Sequence, residues 1–242
     1  MLPTVRGPGQ VPVQATEVVE SWKPTPSTQA IRLRKPEGFR FRPTQFTFLG
    51  LRTSEGADWR PMSLATSPTR PHLEYAVRVS DSAFKRAFSG LSVGDPAWVR
   101  GPFGEFFLNE RRPAVMLAGG IGITPLKGMV EYATDRRLEI PIRLLYSNRS
   151  EPEIVYRAEL EALAVKNPYL EVHLTLTGEP PEGWRGGTGR VSAKWIAASI
   201  AGLTEPLYYV CGTPDFVMSG LSLLSSMGVP EADLDWEPFR GY

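Results

Sequence analysis

Two short stretches of this chain collect residue types that could handle a phosphorylated ligand. The first is Ala118-Gly119-Gly120-Ile121-Gly122-Ile123-Thr124-Pro125, which follows a strand-length apolar run from Val115. Its glycines let the backbone turn sharply and approach a ligand closely. Thr124 is expected as an N-cap, with Pro125 at the first helical position. A strand, a glycine turn and a helix N-terminus together make an anion site out of backbone N–H groups. The second stretch is Arg60-Pro61-Met62-Ser63, where Arg60 offers a planar fork of donors suited to phosphate and Ser63 a small hydroxyl nearby. Each also has a plainer reading on its own. The turn lacks the third glycine of the dinucleotide fingerprint and could bind nothing; the arginine could be an exposed residue beside a turn.

Composition narrows the chemistry. With 1 cysteine the chain has no intrachain disulfide and no four-cysteine iron–sulfur or zinc site, and with 2 histidines an all-protein catalytic zinc site is not expected. No metal is therefore expected. A formal net charge of +1 gives no basic field for nucleic acid or a membrane surface. At 42% apolar and 22% charged, the 242 residues read as an ordinary globular protein of one large or two modest domains. The start carries Pro3, Pro8 and Pro12 rather than the apolar core of a signal peptide, and no apolar run spans a bilayer. A cytoplasmic protein is expected.

The elements that must hold these stretches change character midway. Residues 1–14 read as a loose arm. From 15 to 110 the pattern is β-rich, with strands expected at Ala15–Ser21, Gln29–Arg34, Phe46–Leu51, Leu73–Val79 and Ala97–Arg100. Turn signals such as Lys35-Pro36-Glu37-Gly38 and Val93-Gly94-Asp95-Pro96 separate them. One helix, Ala83 to Ser89, is capped by Asp81 or Ser82 and stopped by Gly90. A small antiparallel barrel fits this half. From 111 to 242 short apolar runs alternate with helical stretches, as in a parallel sheet flanked by helices. Strands are expected at Ala114–Ala118, Ile142–Tyr146, Glu171–Thr177 and Leu207–Val210. The intervening helices run to about Arg136, over Tyr156–Val165, around Ser192–Ile200 and over Phe216–Met227.

Five motifs in this order resemble those of the ferredoxin–NADP reductase superfamily. They are Arg60-Pro61-Met62-Ser63, Gly101-Pro102-Phe103-Gly104, Ala118 to Pro125, Tyr209-Val210-Cys211-Gly212 and Trp236-Glu237-Pro238-Phe239, spread over most of the chain. The resemblance implies a flavin-binding barrel followed by an NAD(P)-binding α/β domain. It implies FAD ahead of FMN as cofactor, and NADPH or NADH as co-substrate. Arg60 would hold the flavin phosphates, Ser63 would lie near the reactive flavin nitrogen, and Pro61 and Met62 would line the ring. Met62 departs from the family's usual tyrosine, though a thioether can lie against an aromatic ring. Arg78 and Ser82 would reach the cofactor from the following strand and helix.

On the other side, Gly120, Gly122 and Thr124 would cradle the nicotinamide nucleotide's pyrophosphate. Cys211 and Gly212 would stand where hydride passes, unless Cys211 is a buried small hydrophobe ending a strand. Glu237 would be the nearby carboxylate, and Phe239 or Tyr242 the aromatic cover of the flavin. Ser147 and Arg149, with Arg157 as a third candidate donor, favour a 2′-phosphate and hence NADPH; Glu151 and Glu153 keep NADH open. Ser63, Cys211 and Glu237 are the expected catalytic set. The implied activity is hydride exchange between nicotinamide and flavin, with single electrons moving to or from a separate ferredoxin, flavodoxin or oxygenase component. A cluster-bearing module or a globin domain is not expected in this chain. Two other readings stand beside it: a non-autonomous electron-transfer subunit of a larger complex, and a flavin-binding module without turnover.

Overall fold

The computed structural model describes residues 11–239. Six strands form one antiparallel, curled sheet: β1 (Val13–Thr25), β2 (Thr28–Arg34), β3 (Phe46–Thr53), β4 (Gly56–Ser63), β5 (His72–Arg78) and β6 (Pro96–Phe103), in the order β4-β3-β6-β1-β2-β5. Alternation along β5 sends Leu73, Tyr75 and Val77 into the core of this sheet, with Leu33, Leu49 and Val99. Glu74 and Ala76 face the other way. The helix α1 (Ala83–Ser89) packs Phe84 and Phe88 into the same core, and Ser82 is its cap.

A second sheet is built from β7 (Ala114–Gly119), β8 (Ile142–Asn148), β9 (Leu170–Leu176), β10 (Gly187–Thr188), β11 (Leu207–Gly212) and β12 (Leu234–Pro238). It is parallel throughout, in the order β10-β9-β8-β7-β11-β12. Helices α2 (Ile123–Asp135), α3 (Arg157–Lys166), α4 (Ala193–Ser199) and α5 (Pro214–Ser226) accompany it. The chain runs outward from β7 to β10, then returns to place β11 on the other side of β7. The reversal point lies between β7 and β11, and in such sheets the crevice beyond the strand ends there is the usual ligand site. Among the described residues no helix is long and apolar enough to cross a membrane.

The expected strands and helices appear within a few residues, but three strands escaped the sequence reading. β4 begins with Gly56 and carries Pro61, β10 is only two residues long, and β12 ends in Pro238. β4 and β12 are edge strands, where a proline removes no needed ladder donor. The expected cap at Thr124 is also corrected. Gly120–Gly122 winds into a 3₁₀ turn and α2 starts at Ile123, so Thr124 lies inside the first turn and its hydroxyl donates back to the Ile121 carbonyl at 3.1 Å.

The two halves share apolar packing. Ala30, Ala65, Ala76, Phe106 and Leu108 from the first half are buried in one cluster with Met116, Ile123, Leu126, Met129 and Val130 from the second.

Candidate functional site

A cleft of about 250 Å³ opens between the halves, where edge strands β4 and β5 face the beginning of α2 and the end of β12. From β4 it receives Arg60, Pro61, Met62 and Ser63; from β5 and α1, Arg78, Ser82, Phe84 and Lys85; from the second half, Ile121, Thr124, Glu237 and Phe239. Its cations are therefore ranged on the barrel side. Arg60 pairs with Asp58 at 2.6 Å and lies 5.8 Å from the Phe84 ring centroid. The Ser82 hydroxyl is occupied in capping, accepting from the Lys85 amide at 3.3 Å. Burial and the neighbouring Arg78 push the Lys85 ammonium down from its ordinary range.

The glycine turn forms the other wall. Gly120 has φ of 53°, the left-handed region that favours glycine, and the Arg78 guanidinium lies over it. The Tyr146 hydroxyl donates to the Gly120 carbonyl at 3.1 Å and holds the turn from behind. Gly122 lies so close to β11 that a Cβ there would stand 2.4 Å from the Cys211 carbonyl oxygen. The turn thus fits into the reversal point between β7 and β11, with no room for a side chain.

At the floor, Ser63 Oγ donates to Glu237 Oε1 at 3.3 Å, joining the last residue of β4 to β12. Glu237 Oε2 is buried with no hydrogen-bond partner among the described residues. Burial, opposed by the Ser63 bond and aided by Asp235, raises the carboxyl to about 7. A carboxyl that exchanges its proton near neutrality beside a hydroxyl suits proton transfer. Register places Cys211 next to Glu237 across the β11–β12 pair. Its thiol is fully buried in the core cluster that also holds its register partner Ala118, and burial together with Glu237 pushes it well above its ordinary range. Cys211 is a buried, neutral side chain that is not among the residues lining the cleft.

The cleft thus collects Arg60, Pro61, Met62, Ser63, Arg78, Ser82, Thr124, Glu237 and Phe239, while Gly120 and Gly122 belong to the turn that presents Ile121 and Thr124, and Cys211 and Gly212 lie against Gly122. Phe239 is anchored by its amide, which donates to the Gly212 carbonyl at 2.7 Å. Tyr242, the alternative cover, lies outside the described residues. Ser147 and Arg149 stand apart from the cleft, at the C-terminal end of β8. Arg157 is engaged by Glu151 and, at 2.9 Å, by Glu161. Sequence reasoning missed Tyr146 and also Phe216, whose ring packs against Gly119 and Gly212. No local pattern announces either, because both act through tertiary packing.

Known proteins share this fold. A family model described as the oxidoreductase NAD-binding domain matches residues 116–219. The chain is 33% identical over 150 residues to NADH-cytochrome b5 reductase 1 of Mortierella alpina, covering 59% of this chain and 49% of that protein. It is 27% identical over 221 residues to the ferredoxin–NAD(P)(+) reductase component of a Pseudomonas putida naphthalene 1,2-dioxygenase system, covering 88% and 64% respectively. The chain spans about half to just under two thirds of the length of these curated relatives. A ferredoxin NADP+ reductase from Neisseria gonorrhoeae, solved with FAD and NADP, superposes with a TM-score of 0.80 at 22% identity, covering 93% of this chain and 98% of that one. The flavohem-like FAD/NAD binding domain of a Vibrio cholerae nitric oxide dioxygenase gives 0.81 at 18% identity, with the same coverage. A curled antiparallel sheet, a parallel sheet flanked by helices and a cleft between them give this chain the two-domain fold of ferredoxin–NADP reductase-like proteins, and its residues 116–219 match the oxidoreductase NAD-binding domain.

Proposed function

We propose that this chain is a flavin-dependent NAD(P)H oxidoreductase that exchanges single electrons with a separate protein, such as a ferredoxin, a flavodoxin or an oxygenase component. The observation that carries the reading is the meeting of Arg60–Ser63, the Gly119–Thr124 turn and Glu237 in one cleft. The residues fit a flavin and a dinucleotide. Glycine backbone and the cations Arg60, Arg78 and Lys85 suit pyrophosphates, and Met62, Ile121 and Phe239 supply apolar walls for rings. Glu237, which also lines the cleft, keeps one buried oxygen with no hydrogen-bond partner among the described residues.

In this reading residues 15–110 hold FAD and residues 111–242 the nicotinamide nucleotide, with residues 1–14 an arm. When bound, the two ligands supply the chemistry: hydride donation from the nicotinamide, and a flavin that accepts two electrons and releases them singly. The chain's own work is alignment and proton handling. Arg60 and Arg78 bind phosphate oxygens, Gly120 and Gly122 allow close approach, and Phe239 keeps water from the ring face until the nucleotide arrives. Ser63 Oγ would give its proton to Glu237 Oε1 only as it takes up another from the bound ligand, so the pair relays a proton that Glu237 holds or releases near neutral pH. Cys211 shapes the surface from beneath as a neutral thiol. With Arg157 tied to Glu151 and Glu161, Ser147 and Arg149 are the donors left for a 2′-phosphate, so NADPH is favoured slightly over NADH. The cytoplasm is the proposed location.

A second reading has one observation behind it. The Pseudomonas putida relative is named as a component of a multi-protein system, and this chain spans only 64% of it. A non-autonomous electron-transfer subunit would therefore reduce its flavin but pass electrons onward only in the presence of its partner. Mixing the flavin-loaded protein with NADPH or NADH without oxygen tests the main reading. Bleaching of the flavin absorbance is expected with at least one of them. A protein that keeps its flavin oxidised with both is a binding module instead.

A further inference from the structure

Behind the cleft, one face of α2 is fastened to the barrel by buried charge. Lys127, one turn after Thr124, donates to Glu74 Oε1 on β5 at 2.9 Å, and both side chains are buried. Arg32 on β2 donates to the other Glu74 oxygen at 2.7 Å. The Lys127 ammonium also lies 4.9 Å from the Tyr156 ring centroid. One turn further on, Glu131 accepts from the Ser67 amide at 2.7 Å, the Thr66 hydroxyl at 3.2 Å and Arg70 at 3.0 Å. A turn beyond that, Asp135 accepts from Arg70 at 3.0 Å. Residues 127, 131 and 135 recur every four positions and share one helix face. On this face Gly128 brings the helix so near that a Cβ would stand 3.1 Å from the Leu64 carbonyl oxygen and 3.2 Å from that of Thr66.

These contacts reach the chain immediately after Ser63 and just before Ala76, both lining the cleft. Apolar packing alone would hold the halves together at several neighbouring settings. Buried charges gain their full value in one geometry and are costly in any other, so they select a setting. Lys127 and Arg32 hold the Glu74 carboxyl below the usual carboxylate range although burial pushes it up. We propose that Lys127 and Glu74, backed by Glu131 and Asp135, are positioning residues: they set how far α2 advances onto the barrel, and thereby the separation between the Gly119–Thr124 turn and Ser63. The proposal rests on the oxidoreductase reading, because that separation matters only if ligands on the two sides must meet.

The test uses the flavin-loaded full chain in anaerobic stopped flow with NADPH and NADH. Lys127→Met keeps most of the stem's bulk and removes the donor. It is expected to slow flavin reduction at saturating nucleotide by about tenfold, since small misplacements are expensive in such transfers. Nucleotide half-saturation and flavin content should stay within about twofold, because binding contacts are untouched. The long-wavelength charge-transfer absorbance between the two rings should weaken in parallel. Gly128→Ala, a better helix residue that must push against the Leu64 and Thr66 carbonyls, should slow reduction by about threefold. In flavin-free protein, exchange of the Ser67 amide should quicken in Lys127→Met while β7 amides keep their protection.

Variants that bleach as fast as the parent, with only the melting temperature lowered, overturn the positioning role. Should Lys127→Met fail to fold, a parent-like rate in Gly128→Ala overturns it equally. A parent protein that neither nucleotide reduces overturns the oxidoreductase reading and this inference together. A reducible parent beside unaffected variants overturns the inference alone.

Discussion

Where the halves of this molecule meet, the buried Glu74 and the half-buried Glu237 stand in environments that drive their carboxyls in opposite directions. Glu74 has Lys127 and Arg32 on its two oxygens, and these hold it ionised below the usual range. Glu237 has the Ser63 hydroxyl on one oxygen and no partner among the described residues on the other, and burial raises it to about 7. Full pairing removes a charge from chemistry and makes it architecture. Incomplete pairing leaves a group whose proton is exchangeable at neutral pH, and it lies where the cleft is. The contrast separates the fastening between α2 and the barrel from the proposed reactive floor of the cleft.

Breaking the paired side should have the largest effect. Glu74→Ala strands Lys127 and leaves Arg32 with the half-exposed Glu20, and should cost about 3–5 kcal/mol in urea unfolding of the flavin-free protein. A loss under about 1 kcal/mol would mean that the pair is already open to water.

The second effect has the opposite sign. Because the folded-state value of Glu237 is raised, its proton stabilises the fold at acid pH, and that contribution is lost as pH rises through about 7. Glu237→Gln should therefore unfold later than the parent at pH 9, by on the order of 2 kcal/mol, and match it near pH 4. Parent and variant with parallel stability from pH 4 to 9 would show that Glu237 is not raised.

Smaller changes sharpen the division of labour within the cleft. Arg60→Ala should weaken flavin retention by about tenfold to a hundredfold, the worth of a charge-assisted bond, while fold stability moves little. Equal retention on gel filtration would remove Arg60 from the proposed phosphate site. Cys211→Ala should have the least effect: about 1 kcal/mol of stability for a small buried side chain, and less than about threefold in the rate of flavin reduction. A much larger drop in rate would return the thiol to the reacting surface.

How much of this could be read from the amino-acid order depends on the range of the interaction. The Gly119–Pro125 turn was legible because a backbone with positive φ at Gly120 and contact at Gly122 demands glycine locally. The alternation of strands and helices in the second half was legible for the same reason, being written within each short segment. Edge strands β4 and β12 were not, since Pro61 and Pro238 read as breaks until their places at sheet edges are known. Lys127 and Glu74 look like solvated charges in their own segments. Only the approach of α2 to β5 buries them, and no pattern within either element encodes that approach. Glu237 was found through its motif, yet its raised carboxyl follows from burial that the motif does not specify.

The most direct test of the account is the pH dependence of anaerobic flavin reduction at saturating nucleotide, in the parent and in Glu237→Gln. An ionised carboxylate beside the point where electrons arrive opposes their arrival. The parent rate should fall severalfold as pH rises through about 7, and Glu237→Gln should show no such step. A parent rate that is flat from pH 6 to 9, or a step that survives in Glu237→Gln, would contradict the assignment of the cleft's chemistry to Ser63 and Glu237.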